Sequence, residues 1–240
     1  MKNLIERIKY AIKNWWLRIT YKRRSKSKFE GKLRPLELIQ PIEWNRYWSD
    51  ELQYYKPHMV SRISRQSWTI RSKWIGEIPE DPRKAVASGC LSTENLKSFD
   101  MGRHGAIQME VACTLKDGDW PAAWLFANNG AREIDLFEWI SQTPDVLHLT
   151  NHWGEDYDDG HRMNGQMINM GSKPYLFNIR LEWDDDLRWY INHKLAKVSE
   201  NIYKNEKMHL LINLAVGGWS ELTKPYTASI MKVFNLKYNV

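Results

Sequence analysis

Residues 133–138 read Glu133-Ile134-Asp135-Leu136-Phe137-Glu138, three carboxylates interleaved with large apolar side chains. Side chains on a strand alternate faces with a period of two, so Glu133 and Asp135 point one way while Ile134 and Leu136 enter a core. Strict alternation would then place Phe137 among the acids and turn Glu138 inward. A one-residue bulge around Leu136 and Phe137 restores Glu138 to the acidic face. The stretch therefore predicts a bulged strand with one side against a core and three acids in one cleft. Working outward, short extended runs at 108–115, 131–140, 146–153, 175–183, 188–192, 208–216 and 229–238 are separated by Gly, Pro, Asn and Asp. Those seven strands predict an all-β fold with little helix, a two-sheet β-sandwich closed as a jelly roll.

The acids carry chemistry as well as register. Neighbouring like charges raise one another's proton affinity, and a half-buried carboxylate resists ionisation. Glycoside hydrolysis uses two carboxylates with separated proton affinities, one ionised to attack the anomeric carbon and one protonated to assist the leaving oxygen. The alternative for such a triplet is an exposed strand edge with solvated charges. Geometry sets a condition on the catalytic reading. Five residues of extended strand span about 16 Å, whereas the carboxyls of a retaining glycosidase sit about 5–5.5 Å apart. The bulge is thus a requirement of that reading.

Motifs spread along the chain point the same way. Trp120-Pro121-Ala122-Ala123-Trp124-Leu125 precedes the acids, His104-Gly105 with Ile107 precedes that, and Ser88-Gly89-Cys90-Leu91-Ser92-Thr93 lies further upstream. Downstream come Leu149-Thr150-Asn151-His152-Trp153-Gly154 and the span 177–192 with Glu182-Trp183 and Arg188-Trp189-Tyr190-Ile191. Asn213-Leu214-Ala215-Val216-Gly217-Gly218-Trp219 follows. In this order these elements resemble glycoside hydrolase family 16, the laminarinase, agarase and carrageenase group, over roughly residues 85–240. Residues 34–84 carry the resemblance least.

The resemblance implies a concanavalin-like jelly roll and an endo-acting, retaining glycosidase that cleaves internal β-linkages of a polysaccharide. The polymer could be a β-1,3-glucan, a β-galactan or a capsular polymer. Carried over residue by residue, Glu133 is the nucleophile, Asp135 its hydrogen-bonding neighbour, and Glu138 the general acid and then base. His152 faces the cleft near the acids by the same resemblance, with a surface or core histidine as the alternative. Trp120, Trp139, Trp153 and Trp219 are candidate sugar platforms, two of which are expected to touch substrate, whereas Trp124 is expected in the core. Asn213 would hydrogen-bond substrate or a catalytic acid, or serve as a structural amide. Two other classes of function stay open: a catalytically inactive carbohydrate-binding sandwich, and a surface-associated structural protein that works through a basic arm.

Composition sets outer bounds. The 240 residues suit one large β domain, 34–240, behind an arm, 1–33. The arm holds eleven Lys or Arg against two Glu, a net +9, so the rest of a chain of net charge +6 is acidic. Leu4, Ile8, Ala11, Ile12, Trp15 and Ile19 recur at helical spacing, followed by a basic tether at 22–28. Such an arm could lie on an anionic membrane surface, dock on a partner protein or stay mobile. Its charges interrupt every apolar run, so neither a usual signal peptide nor a spanning helix is expected. An enzyme for an extracellular polymer would then leave by lysis, specialised export or virion association. No nucleic acid is expected for the domain, and a monomer is.

Cys90 and Cys113 make neither a disulfide scaffold nor a metal cluster; buried thiols are expected, with one bridge as the alternative. No cofactor and no catalytic metal is expected. The acidic loop at 155–160 could hold a structural calcium, though a solvated loop is favoured. Gly217-Gly218 lacks the Lys and helix start of a phosphate loop and reads as a turn.

Overall fold

The computed structural model describes residues 32–44, 51–76, 85–127, 132–154, 160–172 and 175–240. The amphipathic helix and basic tether expected before residue 32 lie outside the described residues, as does the acidic loop apart from Gly160. In chain order the strands are β1 (Arg34–Pro35), β2 (Gln40–Pro41), β3 (Gln53–Tyr55), β4 (Val60–Ser64), β5 (Ser67–Trp74) and β6 (Val86–Ser88). Next come β7 (Cys90–Ser92), β8 (Phe99–Asp100), β9 (Gly105–Cys113), β10 (Asp119–Ala127), β11 (Arg132–Glu138) and β12 (Val146–Trp153). The last six are β13 (Arg162–Asn169), β14 (Leu176–Trp183), β15 (Asp186–Ile191), β16 (Lys194–Glu200), β17 (Lys207–Val216) and β18 (Ala228–Asn239). A single 3-10 turn, Pro57–Met59, is the only helical element among the described residues. Each of the seven runs expected from the sequence contains a strand, the run at 131–140 ending as one at Glu138.

Two sheets form the sandwich. One has ten strands in the order β16-β15-β14-β9-β18-β5-β6-β3, with β1 added to β18 and β4 to β5. The other has eight in the order β13-β12-β11-β10-β17-β7-β2, with β8 on β17. Alternation along the strands fills the space between them. Ile107, Met109 and Val111 of β9 and Ile179, Leu181 and Trp183 of β14 face Leu125, Ile134, Leu147, Leu149, Leu210 and Ile212 of the other sheet, all buried in one cluster. Cys90 and Cys113 are buried free thiols, as expected. Gly217 and Gly218 have φ of 79° and 60°, the left-handed region that glycine tolerates, so the turn reading holds.

The bulge is present in β11. Against β10, Ala123 pairs with Phe137 and Trp124 with Asp135, which leaves Leu136 as the extra residue. Against β12, Ile134 pairs with Asn151 and Glu138 with His148, four residues matched to three. Ile134, Leu136 and Phe137 are all fully buried. Phe137 meets Phe177 edge to face, with ring centroids 5.2 Å apart. A straight strand would expose that ring in the cleft, and burying a Phe contributes about 1.5–3 kcal/mol. Apolar burial on one side therefore sets the register of the acids on the other.

Candidate active site

Glu133, Asp135 and Glu138 all line one cleft on the outer face of the eight-stranded sheet. Glu133 is directly opposite His152 in the β11–β12 ladder. Asp135 is the buried member, 1% exposed. It shares a hydrogen bond with Glu133, and His152 Nε2 stands 3.1 Å from its Oδ2 and 3.9 Å from Glu133 Oε1. On the far side of the imidazole, His152 Nδ1 meets His161 Nε2 at 3.0 Å. The two rings stack with centroids 5.1 Å apart and planes 9° from parallel. Glu138 accepts a hydrogen bond from Trp120 Nε1 at 3.2 Å.

The environment separates the proton affinities. Burial pushes Glu138 well above the usual carboxylate range, and the charges of Asp135 and Glu133 push it further, while the Trp120 N–H opposes. Burial also raises Asp135, to about 7, against the hydrogen bond from Glu133 and the positive charge of Lys197. His152 is held below its ordinary value chiefly by burial, with Glu133 opposing. Glu138 thus binds its proton more tightly than an ordinary carboxylate, within the same cleft as two further carboxyls, the direction that general acid catalysis needs.

The expected tryptophans divide. Trp120 lines the cleft, and Trp219, 47% exposed, meets it edge-on with centroids 5.8 Å apart. Trp139 does not reach the cleft. It is fully buried, donates its N–H to the Pro144 carbonyl at 3.0 Å and packs edge-on to Phe177, so it is a core residue. Trp153 likewise packs against the core cluster rather than among the cleft residues. It follows His152 on β12, and alternation turns it to the opposite face. Trp124, expected in the core, instead lines the cleft and donates to Asn213 Oδ1 at 2.8 Å. Its partner strand pairs it with Asp135, which puts it on the acidic face.

Asn213 belongs to a network the sequence reading missed. Its Nδ2 donates to the Tyr55 hydroxyl at 2.8 Å, which also receives Gln53 Nε2 at 2.9 Å, and Gln53 reaches Glu51 Oε2 at 2.5 Å. Trp44, Glu51 and Tyr55 complete the cleft wall. Trp44 stacks on Tyr55 with centroids 5.7 Å apart and planes at 19°, and lies 5.8 Å from Trp124. The available signal was the alternation Glu51, Gln53, Tyr55, which places Gln53 and Tyr55 on one face of β3 and Glu51 in line with them just ahead of it. Lys197 was missed as well, a buried cation on β16 whose charge acts on Asp135.

Glu133, Asp135 and His152 bring donor atoms within 4.8 Å of one another, the spacing of a divalent-cation site. Those atoms are already engaged with one another, and the positive charge acting on Asp135 is supplied by Lys197.

A family model, Glycosyl hydrolases family 16, matches residues 53–229. The chain belongs to glycosyl hydrolases family 16. The match begins at β3, ahead of the span in which the motifs stand out by eye. This family 16 chain is 27% identical over 134 residues to the endo-1,3-1,4-beta-glycanase ExsH of Rhizobium meliloti (strain 1021), covering 55% of this chain and 28% of that protein. It is 24% identical over 201 residues to a beta-glucanase of Rhodothermus marinus, covering 71% and 66% respectively. The chain thus spans less than two thirds of the length of either curated relative. Among solved structures, the family 16 enzyme of a Bacteroides ovatus mixed-linkage glucan locus, in complex with a G4G4G3G product, superposes with a TM-score of 0.69. That likeness covers 87% of this chain and 96% of the other at 20% identity, and shows the shared fold.

Proposed function

We propose that this family 16 chain is an endo-acting, retaining glycosidase that cleaves internal β-linkages of a β-glucan by double displacement. The observation that carries the reading is the bulge at Leu136, which sets Glu133, Asp135 and Glu138 in one cleft where burial and the neighbouring acids raise the proton affinity of Glu138. Glu133 attacks the anomeric carbon as Glu138 donates its proton to the departing glycosidic oxygen, giving a covalent glycosyl–enzyme intermediate. Glu138, now ionised, takes a proton from a water that displaces Glu133, and the anomeric configuration is retained. Asp135, hydrogen-bonded to Glu133, fixes the nucleophile's rotamer, and its charge keeps the proton on Glu138 until the bond breaks.

The cleft wall supplies substrate contacts. Trp120 and Trp124 present flat indoles beside the acids and Trp44 extends that surface, a shape suited to the apolar faces of sugar rings. Asn213 and Glu51 offer an amide and a carboxylate to ring hydroxyls. The two curated relatives bear the names of a 1,3-1,4-beta-glycanase and a beta-glucanase, which supports a β-glucan over a β-galactan or a capsular polymer.

Reducing-end release over a panel of β-1,3-glucan, mixed-linkage β-1,3-1,4-glucan, agarose and carrageenan tests the substrate class. Cleavage confined to the galactans would overturn the β-glucan assignment. Proton NMR of the first product tests the mechanism: a retained anomer is expected, and an inverted one would remove Glu133 as nucleophile.

A further inference from the structure

Lys197 belongs to β16, the edge strand of the ten-stranded sheet, yet its side chain crosses to the eight-stranded sheet and is 2% exposed. Its ammonium donates to the Leu149 carbonyl at 3.0 Å and Asn151 Oδ1 at 2.9 Å on β12, and to the Asn164 carbonyl at 2.5 Å on β13. Three acceptors match the three protons of an ammonium group. The same nitrogen lies 4.4 Å from the ring centroid of Trp189, whose own N–H donates to the Asp135 carbonyl at 2.8 Å. All three acceptors are neutral dipoles. Closing the open edge of the sandwich would need only an amide or an apolar side chain there, and withdrawing a charge from water is costly without a counter-charge.

Among the described residues, the charged groups around this point are few. Asp135 faces Glu133 and Glu138 from its own strand, His152 from β12 with His161 behind it, and Lys197 from β16. Glu51 acts on Glu138 from across the cleft. Asn151, which holds the ammonium, sits opposite Ile134 beside Asp135, and Trp189 touches both the ammonium and the Asp135 carbonyl, so among the described residues Asp135 is the anion placed to act on Lys197.

We infer that Lys197 is a positioning residue of the acid cluster: its buried ammonium is the counter-charge that lets Asp135 stay ionised between two other carboxyls. Asp135 in turn keeps the proton on Glu138. The electrostatics agree in sign. Burial drives Asp135 up to about 7 and Lys197 down to about 7, and each opposes the shift of the other. Such coupling is reciprocal, so it is measurable from either partner. The kinetic consequence rests on the function proposed above; the charge coupling does not.

The test therefore has two arms. In the full chain labelled with nitrogen-15 lysine, the Lys197 Nζ signal is assigned by its loss in Lys197→Arg and titrated with and without Asp135→Asn. Removing the Asp135 charge is expected to lower the proton affinity of Lys197 by about one pH unit or more; an unchanged titration would overturn the inference. In the second arm Lys197→Gln keeps an amide donor for β12 but carries no charge. Asp135 then binds its proton more tightly, Glu138 loses like-charge pressure, and the alkaline limb of kcat/KM should move to lower pH by about one unit. Lys197→Arg should move it back. A folded Lys197→Gln with the wild-type limb would also overturn the inference. If that variant does not fold, the comparison of wild type with Asp135→Asn decides alone. A chain inactive on every glucan but showing the reciprocal titration would refute the function and leave the coupling standing.

Discussion

The indole N–H of Trp189, on β15 of the ten-stranded sheet, donates at 2.8 Å to the backbone carbonyl of Asp135 on the acid strand of the opposite sheet. That carbonyl immediately precedes Leu136, the extra residue of the bulge. A bulge disrupts its ladder locally, and here a fully buried side chain from across the core holds the disrupted backbone. The support for the acids thus runs through the sandwich.

Trp189→Phe keeps an aromatic ring and deletes the donor, so it should destabilise by about 1–3 kcal/mol through the unpaired buried carbonyl. It should also lower kcat more than it changes KM, because the bulge positions groups that act in the transition state. Urea unfolding and steady-state kinetics check both. A variant that loses stability but keeps wild-type kcat would show that the bulge holds without this bond.

Glu133→Gln and Glu138→Gln change charge at nearly constant shape. Each should lower kcat by on the order of 10²–10⁴-fold or more with the fold intact, as removal of a nucleophile or a general acid requires. Circular dichroism with reducing-end assays separates folding from chemistry. Wild-type turnover by either folded variant would remove that residue from the mechanism.

Trp120→Phe removes the N–H that favours the ionised form of Glu138. The proton affinity of Glu138 should therefore rise, and the alkaline limb of kcat/KM, where the general acid loses its proton, should move to higher pH. The direction is opposite to that expected for Lys197→Gln. A pH profile that moves downward, or not at all, would detach Trp120 from Glu138.

Trp139 and Trp44 provide a paired test of core against cleft. Trp139→Phe should cost stability, with the Pro144 carbonyl left unpaired, and leave KM within about twofold. Trp44→Ala should raise KM by about tenfold, since an aromatic contact contributes about 0.5–1.5 kcal/mol beyond its area. A rise in KM for Trp139→Phe would return that residue to the cleft.

Several features were legible because they are local. Residues 133–138 could not keep three acids together and bury Phe137 without an extra residue, so the bulge followed from the text itself. The seven expected strands followed from period-two runs and their turn residues in the same way. Tryptophan placement was less readable, since an indole suits a core as well as a sugar. Trp139 and Trp124 were assigned to the wrong sides because the bulge and the turn after Glu138 set their faces. The cleft wall of Glu51, Gln53 and Tyr55 was missed for a different reason: β3 has only three residues, with Glu51 just ahead of it, and so short a strand carries little periodic signal.

The sequence by itself determined the fold class, the bulge and the shared face of the acids, because each is dictated by neighbours along the chain through strand alternation and apolar burial. Tertiary structure alone decided what surrounds them. Tyr55 meets Asn213 across a separation of 158 residues, Trp189 reaches Asp135 across 54, and Lys197 reaches Asn151 across 46. These contacts depend on which strands pair and how the two sheets face each other, and no local pattern encodes that choice. The low dielectric that separates the proton affinities of Glu138 and Asp135 likewise exists only once both sheets have closed.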